Sequence, residues 1–352
     1  MLVLERLKQY HESGSIVVMH DFSVDRIIKL ESKTQLIDSL SEKANAGGGI
    51  IRKGVTTTDV KGGNAVNLAY SLAKLGLNIT LFTVADGVGS AILFSVFSKL
   101  KDKVNLVIKP GVHGLTTAFE FLDETRNRVN VMLHDAGDNA DFGPDRINTI
   151  QELGILQKAK AVAVVNWATN SKGNQLTDHV FRNSPKALHF IDPADIKKRE
   201  QEFLNSLKSI SEITNVLSIN ENECNWLARE IGLSCHLTHS CGYKPADVKN
   251  AAKNLAAKIG VDIDLHTING AAWSNGKETD YINAFKVEPR RATGAGDCWN
   301  AADIVGHLAG LDPRERLTFA NAYASSYVQN IYAEPPTMKE TFEFLDSAGS
   351  IV

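Results

Sequence analysis

Short runs of β-branched and apolar residues alternate along the chain with longer segments whose apolar positions recur at helical spacing. SIVVM (15–19), ITLFTV (79–84), AVAVV (161–165), HFID (189–192), NVLSI (215–219) and DLHTI (264–268) have the length and composition of strands. The alternation predicts an α/β fold, a mostly parallel sheet covered on both faces by helices. Two regions break the rhythm. Residues 27–61 are polar and contain Gly47, Gly48 and Gly49, and residues 104–133 read as strands and turns (VNLVI, TTAFEFL, RVNVML) with no helix between them. Both are expected to build a small antiparallel sheet appended to the main body, the earlier one with a mobile loop, so that the pair forms a lid. No internal repeat, low-complexity tract or Pro-rich linker divides the chain.

With 352 residues and 43% apolar composition the chain can bury a large core, which excludes disorder. Lys and Arg number 38 against 41 Asp and Glu, a net charge of -3. No global cationic field is available for nucleic acid or anionic lipid, so any phosphate affinity has to come from a local site. Residues 1–14 interleave Leu2, Leu4, Leu7 and Tyr10 with Glu5, Arg6 and Lys8, an amphipathic helix rather than a signal peptide. The apolar run Ala161 to Ala168 is far short of the roughly 20 residues that span a bilayer. Cys224, Cys235, Cys241 and Cys298 form no C-x-x-C pair, which fits a reducing cytoplasm. Cys235, His236, His239 and Cys241 in CHLTHSC are expected to belong to a polar loop rather than a metal centre, because adjacent Cys and His make poor tetrahedral ligands.

In an open α/β sheet ligands sit beyond the carboxyl ends of the strands, so the loops after these runs are where chemistry is sought. RATGAGDCWNAADIVGHLAG (291–310) runs from a small-residue turn straight into a helix. Gly294, Ala295 and Gly296 let the backbone approach a ligand, and the first-turn N–H groups with the helix dipole form a nest for an anion such as a migrating phosphoryl group. Asp297, at the rim of that nest, is placed to take a proton from an attacking hydroxyl; an ordinary first-turn Asp after a tight turn is the alternative. Gly62 and Gly63 precede a second helix with Asn64 and Asn67 on its first turn, able to meet sugar hydroxyls or simply to cap the helix. Asn220 and Glu223, three apart after a strand, can hold a hydrated Mg²⁺ through Glu223 or form a capping box. Asp21 and Asp25 follow the first strand where carboxylates can grip a polyol; surface solvation of one of them, Asp21 before Asp25, is the alternative.

Taken together, these loops resemble the pfkB carbohydrate kinases of the ribokinase-like superfamily. GGNAVNLAYSLAKLG looks like the N-terminal signature of the family, and ATGAGDCWNAADI like its C-terminal signature. Asn220 to Glu223 is similar to its N-x-x-E motif, and FANAYASSYV (319–328) resembles the helix lining its adenine pocket. The resemblance spans most of the chain. It implies one kinase domain over 1–352, a three-layer αβα sandwich with a mostly parallel central sheet and a small β-sheet lid from about 27–61 and 104–133.

The same resemblance implies Asp297 as base with the backbone of Gly294, Ala295 and Gly296 as anion hole. It implies Asp25, Gly62, Gly63, Asn64 and Asn67 at the substrate and Asn220, Thr293 and Asn321 at the nucleotide. Glu223 would order Mg²⁺, ATP or ADP would be the phosphoryl donor, and lids would pair into a homodimer, as in some members. Three departures mark an outlying, archaeal-type branch: Arg291 and Ala292 stand where the family has Asp-Thr, HTINGAAWSNG (266–276) replaces T-x-G-x-x-G, and ADGVG (85–89) shortens G-x-D-x-x-G.

Lys33, Arg52, Lys53, His113, Arg126, Arg128 and His134 in the expected lid offer charge to a substrate that already bears phosphate. The expectation is therefore a phosphorylated pentose such as ribose 1-phosphate or a related sugar, with a nucleoside next. A non-catalytic sugar or nucleotide sensor is the competing class, against which Asp297 argues, since a sensor needs no base. An NAD-linked oxidoreductase is excluded because no G-x-G-x-x-G follows the first strand with an acidic residue roughly 20 positions on.

Overall fold

The computed structural model describes residues 6–7, 15–51, 55–122, 128–234, 237, 243–290, 293–332 and 334–348. The strands are β1 (Ser15–His20), β2 (Ser23–Ser32), β3 (Thr56–Gly62), β4 (Asn78–Ala85), β5 (Val104–Pro110), β6 (Gly114–Leu122) and β7 (Arg128–Asp135). They continue with β8 (Ala161–Val165), β9 (Leu188–Asp192), β10 (Val216–Asn220), β11 (Asp262–Thr267), β12 (Gly270–Ser274) and β13 (Thr279–Asn283). The helices are α1 (Lys33–Asn45), α2 (Asn64–Lys74), α3 (Gly87–Val96), α4 (Ile150–Lys158), α5 (Gly173–Arg182) and α6 (Glu200–Ile210). After them come α7 (Glu221–Glu230), α8 (Pro245–Ile259), α9 (Ala295–Leu308), α10 (Pro313–Val328) and α11 (Met338–Ser347).

The main sheet has the order β13-β12-β11-β10-β9-β8-β1-β4-β5. Its pairs are parallel from β5 through β11, and β12 and β13 add antiparallel at one edge. All six strands expected from the apolar runs form within a residue or two. The period of two divides the core between the faces: Ile16 and Val18 of β1 join a cluster with α2, α9 and α10. Val17 and Met19 join another with α5 through α8. Burial on both faces is why β8 reads AVAVV without a polar position.

The second sheet has the order β3-β2-β6-β7. Its outer pairs are antiparallel and its central pair, β2 with β6, is parallel. Two boundaries differ from expectation. VNLVI belongs to β5, which pairs with β4 at the edge of the main sheet. Residues 33–45 form a helix, α1, begun by Ser32, whose hydroxyl accepts from the Gln35 amide; a polar, strand-poor composition masked it. The N-terminal amphipathic segment, except Arg6 and Leu7, lies outside the described residues, as do Cys235, His236, His239 and Cys241. Among the described residues, no helix is long and apolar enough to cross a membrane.

α9 is anchored from below by a buried ion cluster. Arg316 of α10 bonds Asp303 of α9 and reaches Asp264 of β11 at 2.7 Å, all three nearly inaccessible. His307 lies 3.4 Å from the same Asp264 oxygen. Burial alone would raise Asp264, but Arg316 and His307 hold it down at about 2, while burial pushes Asp303 well above the usual carboxylate range. Gly306 gives Arg316 its room, since a Cβ there would lie 2.7 Å from the arginine Cγ.

Candidate active site

α9 starts at Gly294, whose φ of 84° is left-handed and whose position carries no side-chain cap for the first-turn N–H groups. A Cβ there would lie 2.6 Å from Tyr327 Oη, which itself donates to the Thr293 carbonyl at 2.9 Å. Backbone angle and space thus both require glycine, and the helix end is left open for an anion.

Asp297 follows in the first turn and is only 6% exposed. Asn64 Nδ2 donates to its Oδ1 at 3.0 Å and Asn67 Nδ2 to its Oδ2 at 3.1 Å. Burial, then the negative charges of Asp192 and Asp21, push its carboxyl well above the usual range, while the two amides pull it back.

The start of α2 that delivers these asparagines is held from outside the helix. Gly63, at φ 92°, has no side chain to cap it, and a Cβ would meet the Asp21 carbonyl at 2.7 Å. Asp21 accepts instead from the backbone N–H of Asn64 and of Ala65, both at 2.9 Å, and from Asn166 Nδ2 at 2.8 Å. The alternative of a solvated Asp21 does not hold: it is buried, with three donors satisfying it.

Two cavities flank the group formed by Asn64, Asp297 and Asn67. The first, about 320 Å³, is lined by Asn64, Asp192, Asn220, Glu223, His266 and the Gly294 to Asp297 turn, among others. The second, about 270 Å³, has walls that include Asp25, Lys61, Asn67, Thr116, Thr293 and Tyr332. Asn64 and Asp297 line the first, and Asn67, which bonds Asp297, lines the second. Asp25 accepts from Ser23 Oγ at 2.8 Å. Gly62 lies across from it on β3, where a Cβ would come within 2.3 Å of the Asp25 carboxyl.

Asn220 and Glu223 do form the capping box: Asn220 Oδ1 accepts from the Glu223 N–H at 3.1 Å, and Glu223 Oε2 accepts from the Asn220 N–H at 2.8 Å. Both residues still line the first cavity, so the structural and the ligand-facing arrangement coexist. Burial first, then the charge of Asp192, raises Glu223 well above its ordinary range. Burial likewise pushes Asp192 up to about 6, against the Ala194 N–H and the Asn300 amide. Two desolvated carboxylates facing one polar cavity make a donor set suited to a hydrated magnesium ion. The sequence reading missed Asp192; the signal was an acid directly after the apolar strand HFI at a carboxyl end. His266, at the end of β11, is held neutral by burial at about 4 and lies 5.1 Å from the Trp299 ring.

Not every expected residue reaches these cavities. Asn321 is buried between α9 and β13, accepting from Trp299 Nε1 at 2.9 Å and donating to the carbonyls of Ile282 and Asn283. Its hydrogen-bonding capacity is used in packing, and it lines neither cavity. Thr293 faces the second cavity rather than the one with Asn220 and Glu223. Of the lid cations, Arg52, Lys53, Arg126 and the side chains of Lys33 and Arg128 lie outside the described residues, as do Arg291 and Ala292. His113 stacks on Phe22 and approaches Asp86 at 3.3 Å, and His134 bonds Thr116 at 3.0 Å; neither lines either of these two cavities.

The family model of the pfkB family carbohydrate kinases matches residues 28–340. A ribokinase of Bacillus subtilis (strain 168) is 26% identical over 298 residues, 83% of this chain and 90% of that protein. Arabidopsis thaliana ribokinase, solved with ribose and ATP, superposes with a TM-score of 0.70 at 20% identity, covering 95% of this chain and 99% of its own. A putative ribokinase II from E. coli, solved with ATP and Mg²⁺, gives 0.71 at 15% identity over 95% and 99%. These two likenesses show the three-layer αβα fold with its small second sheet. The family match over most of the length excludes the dehydrogenase reading: the chain belongs to the pfkB family of carbohydrate kinases.

Proposed function

We propose that this kinase transfers the terminal phosphoryl group of ATP to a hydroxyl of an uncharged pentose, free or within a nucleoside, with Asp297 as the base. The observation that carries the reading is the position of Asp297: a desolvated carboxylate lining the first cavity, gripped on both oxygens by Asn64 and by Asn67 of the second cavity's wall, beside an uncapped helix start. The second cavity takes the acceptor, with Asp25, Asn67 and the Gly62–Gly63 backbone at its hydroxyls. The first takes the nucleotide phosphates, with Asn220 beside them. Asp297 accepts the proton as the hydroxyl attacks, and the N–H groups opened by Gly294, Ala295 and Gly296 receive the migrating group. Held through Asp192 and Glu223, Mg²⁺ would offset the phosphate charge. The ATP and Mg²⁺ of the E. coli relative and the ribose and ATP of the Arabidopsis ribokinase support a nucleotide, Mg²⁺ and a sugar as ligands.

The expectation of a phosphorylated acceptor is revised. Among the described residues, the second cavity carries three carboxylates, Asp25, Glu120 and Glu334, the last paired with Lys74 at 2.8 Å, against the single lining cation Lys61, whose ammonium donates to Asn67 Oδ1 at 3.0 Å. A phosphate would meet net negative charge there. The apolar side chains of Ile27, Val96 and Met132 along the same wall favour an acceptor with an aromatic or aliphatic portion, as in a nucleoside. A coupled assay with ribose, other pentoses, their phosphates and nucleosides, each with ATP and with ADP, tests the reading. Turnover is expected with an uncharged acceptor and ATP; turnover confined to phosphorylated acceptors would overturn it.

The small sheet is the lid in this proposal, and it pairs with that of a second copy. Leu115, Val131 and Leu133, exposed on the face opposite the cavity, support such pairing, and sedimentation of a Leu133→Lys variant as monomer would bear it out. A cytoplasmic location belongs to the same proposal, supported by a set of four cysteines with no C-x-x-C pair.

A further inference from the structure

Asp192 is held on both oxygens by groups of the protein itself. The Ala194 N–H donates to Oδ1 at 2.9 Å, from a backbone in the left-handed region at φ 56°. Asn300 Nδ2 donates to Oδ2 at 2.6 Å. Asn300 Oδ1 in turn accepts from Ser218 Oγ at 2.6 Å, and both Asn300 and Ser218 are fully buried. The carboxylate sets the polarity, since a flipped amide would turn its oxygen on Asp192 and lose the charge-assisted bond, and the Ser218 hydroxyl then fixes the amide oxygen in place. Asn300 stands three residues after Asp297 on α9, so one helix carries the proposed base and the group that aims the acid of the first cavity.

We propose that Asn300, its amide locked by Ser218, is a positioning residue that holds the Asp192 carboxylate toward a divalent cation in the first cavity. The proposal rests on the reading above that Asp192 and Glu223 hold the cation. With one fixed donor on each oxygen, the remaining acceptor sites of Asp192 face the cavity, and the cation centre stays in register with α9. Supporting partners of metal ligands commonly contribute 10- to 100-fold to metal affinity.

The test uses the full-length protein without nucleotide and Mn²⁺ alone as probe, its free concentration read by electron paramagnetic resonance. Asn300→Ala is expected to weaken Mn²⁺ binding about 10- to 100-fold, and Ser218→Ala to weaken it in the same direction by a smaller factor. The dissociation constant of the acceptor, measured without metal, should not move in Ser218→Ala. Asp192→Asn is the reference. If it weakens Mn²⁺ binding while Asn300→Ala and Ser218→Ala do not, the positioning role is wrong and the cation site stands. If Asp192→Asn leaves Mn²⁺ binding unchanged, the cation reading fails and this inference with it. Should Asn300→Ala not fold, Ser218→Ala decides alone.

Discussion

Replacing Asp297 with Asn tests the centre of the mechanism with almost no change of shape. The carboxylate accepts one hydrogen bond on each oxygen, from Asn64 and Asn67. An amide keeps one acceptor and the same volume, so both cavities should persist and nucleotide binding should change little. What is lost is the proton acceptor, for which a fall in turnover of about 10² to 10⁴ is expected, about 3 to 5.5 kcal/mol of barrier. The pH dependence adds a second reading. Burial, with the charges of Asp192 and Asp21, outweighs the two amides and lifts Asp297 above its ordinary 3.8. A base works ionised, so activity is present above that raised pKa and lost as pH falls through it. The acid limb should therefore lie above the ordinary carboxylate range, and removing one neighbouring charge in Asp192→Asn should move it to lower pH. Steady-state rates across pH, with nucleotide affinity from titration calorimetry, check both parts. Turnover of Asp297→Asn within tenfold of the parent, or an acid limb that stays fixed in Asp192→Asn, would refute the reasoning.

Two further outcomes concern the scaffold. Gly63→Ala places a Cβ 2.7 Å from the Asp21 carbonyl at a φ of 92°, and should destabilise the fold by about 1 to 3 kcal/mol while raising KM for the acceptor; an unchanged melting midpoint would contradict it. Arg316→Met leaves Asp264 and Asp303 buried without their cation, for an expected loss of about 3 to 5 kcal/mol at neutral pH. Because Asp264 is held at about 2 against an ordinary 3.8, the stabilisation is complete above the ordinary value and fades as pH falls toward the lower one. The gap in denaturant midpoint between parent and variant should narrow over that range.

Local pattern was enough for the strands of the main sheet. Their apolar runs are continuous because both faces are buried, and their length separates them from helices. The two glycine-led helix starts were equally legible, since a left-handed turn and a close approach leave few residue choices at Gly63 and Gly294. Composition misled where no strong period exists: α1 was hidden in a polar segment, and β5 read as part of the small sheet because strand character does not name its partner.

The residues around Asp297 were named by the chain itself, through motifs that set an acid beside an open helix start. Their arrangement was decided elsewhere, by contacts far apart in the chain. Asn64 reaches Asp297 across 233 positions, Asn166 reaches Asp21 across 145 and Asn300 reaches Asp192 across 108. Asp21 and Asp25 look alike in sequence, yet three donors bury the first while the second faces a cavity; Asn321 fits a motif, yet packing uses its hydrogen bonds. Periodicity and turn chemistry are properties of neighbouring residues, whereas burial, charge neighbours and donors belong to the folded surroundings, and it is these that set the protonation and direction of a carboxylate.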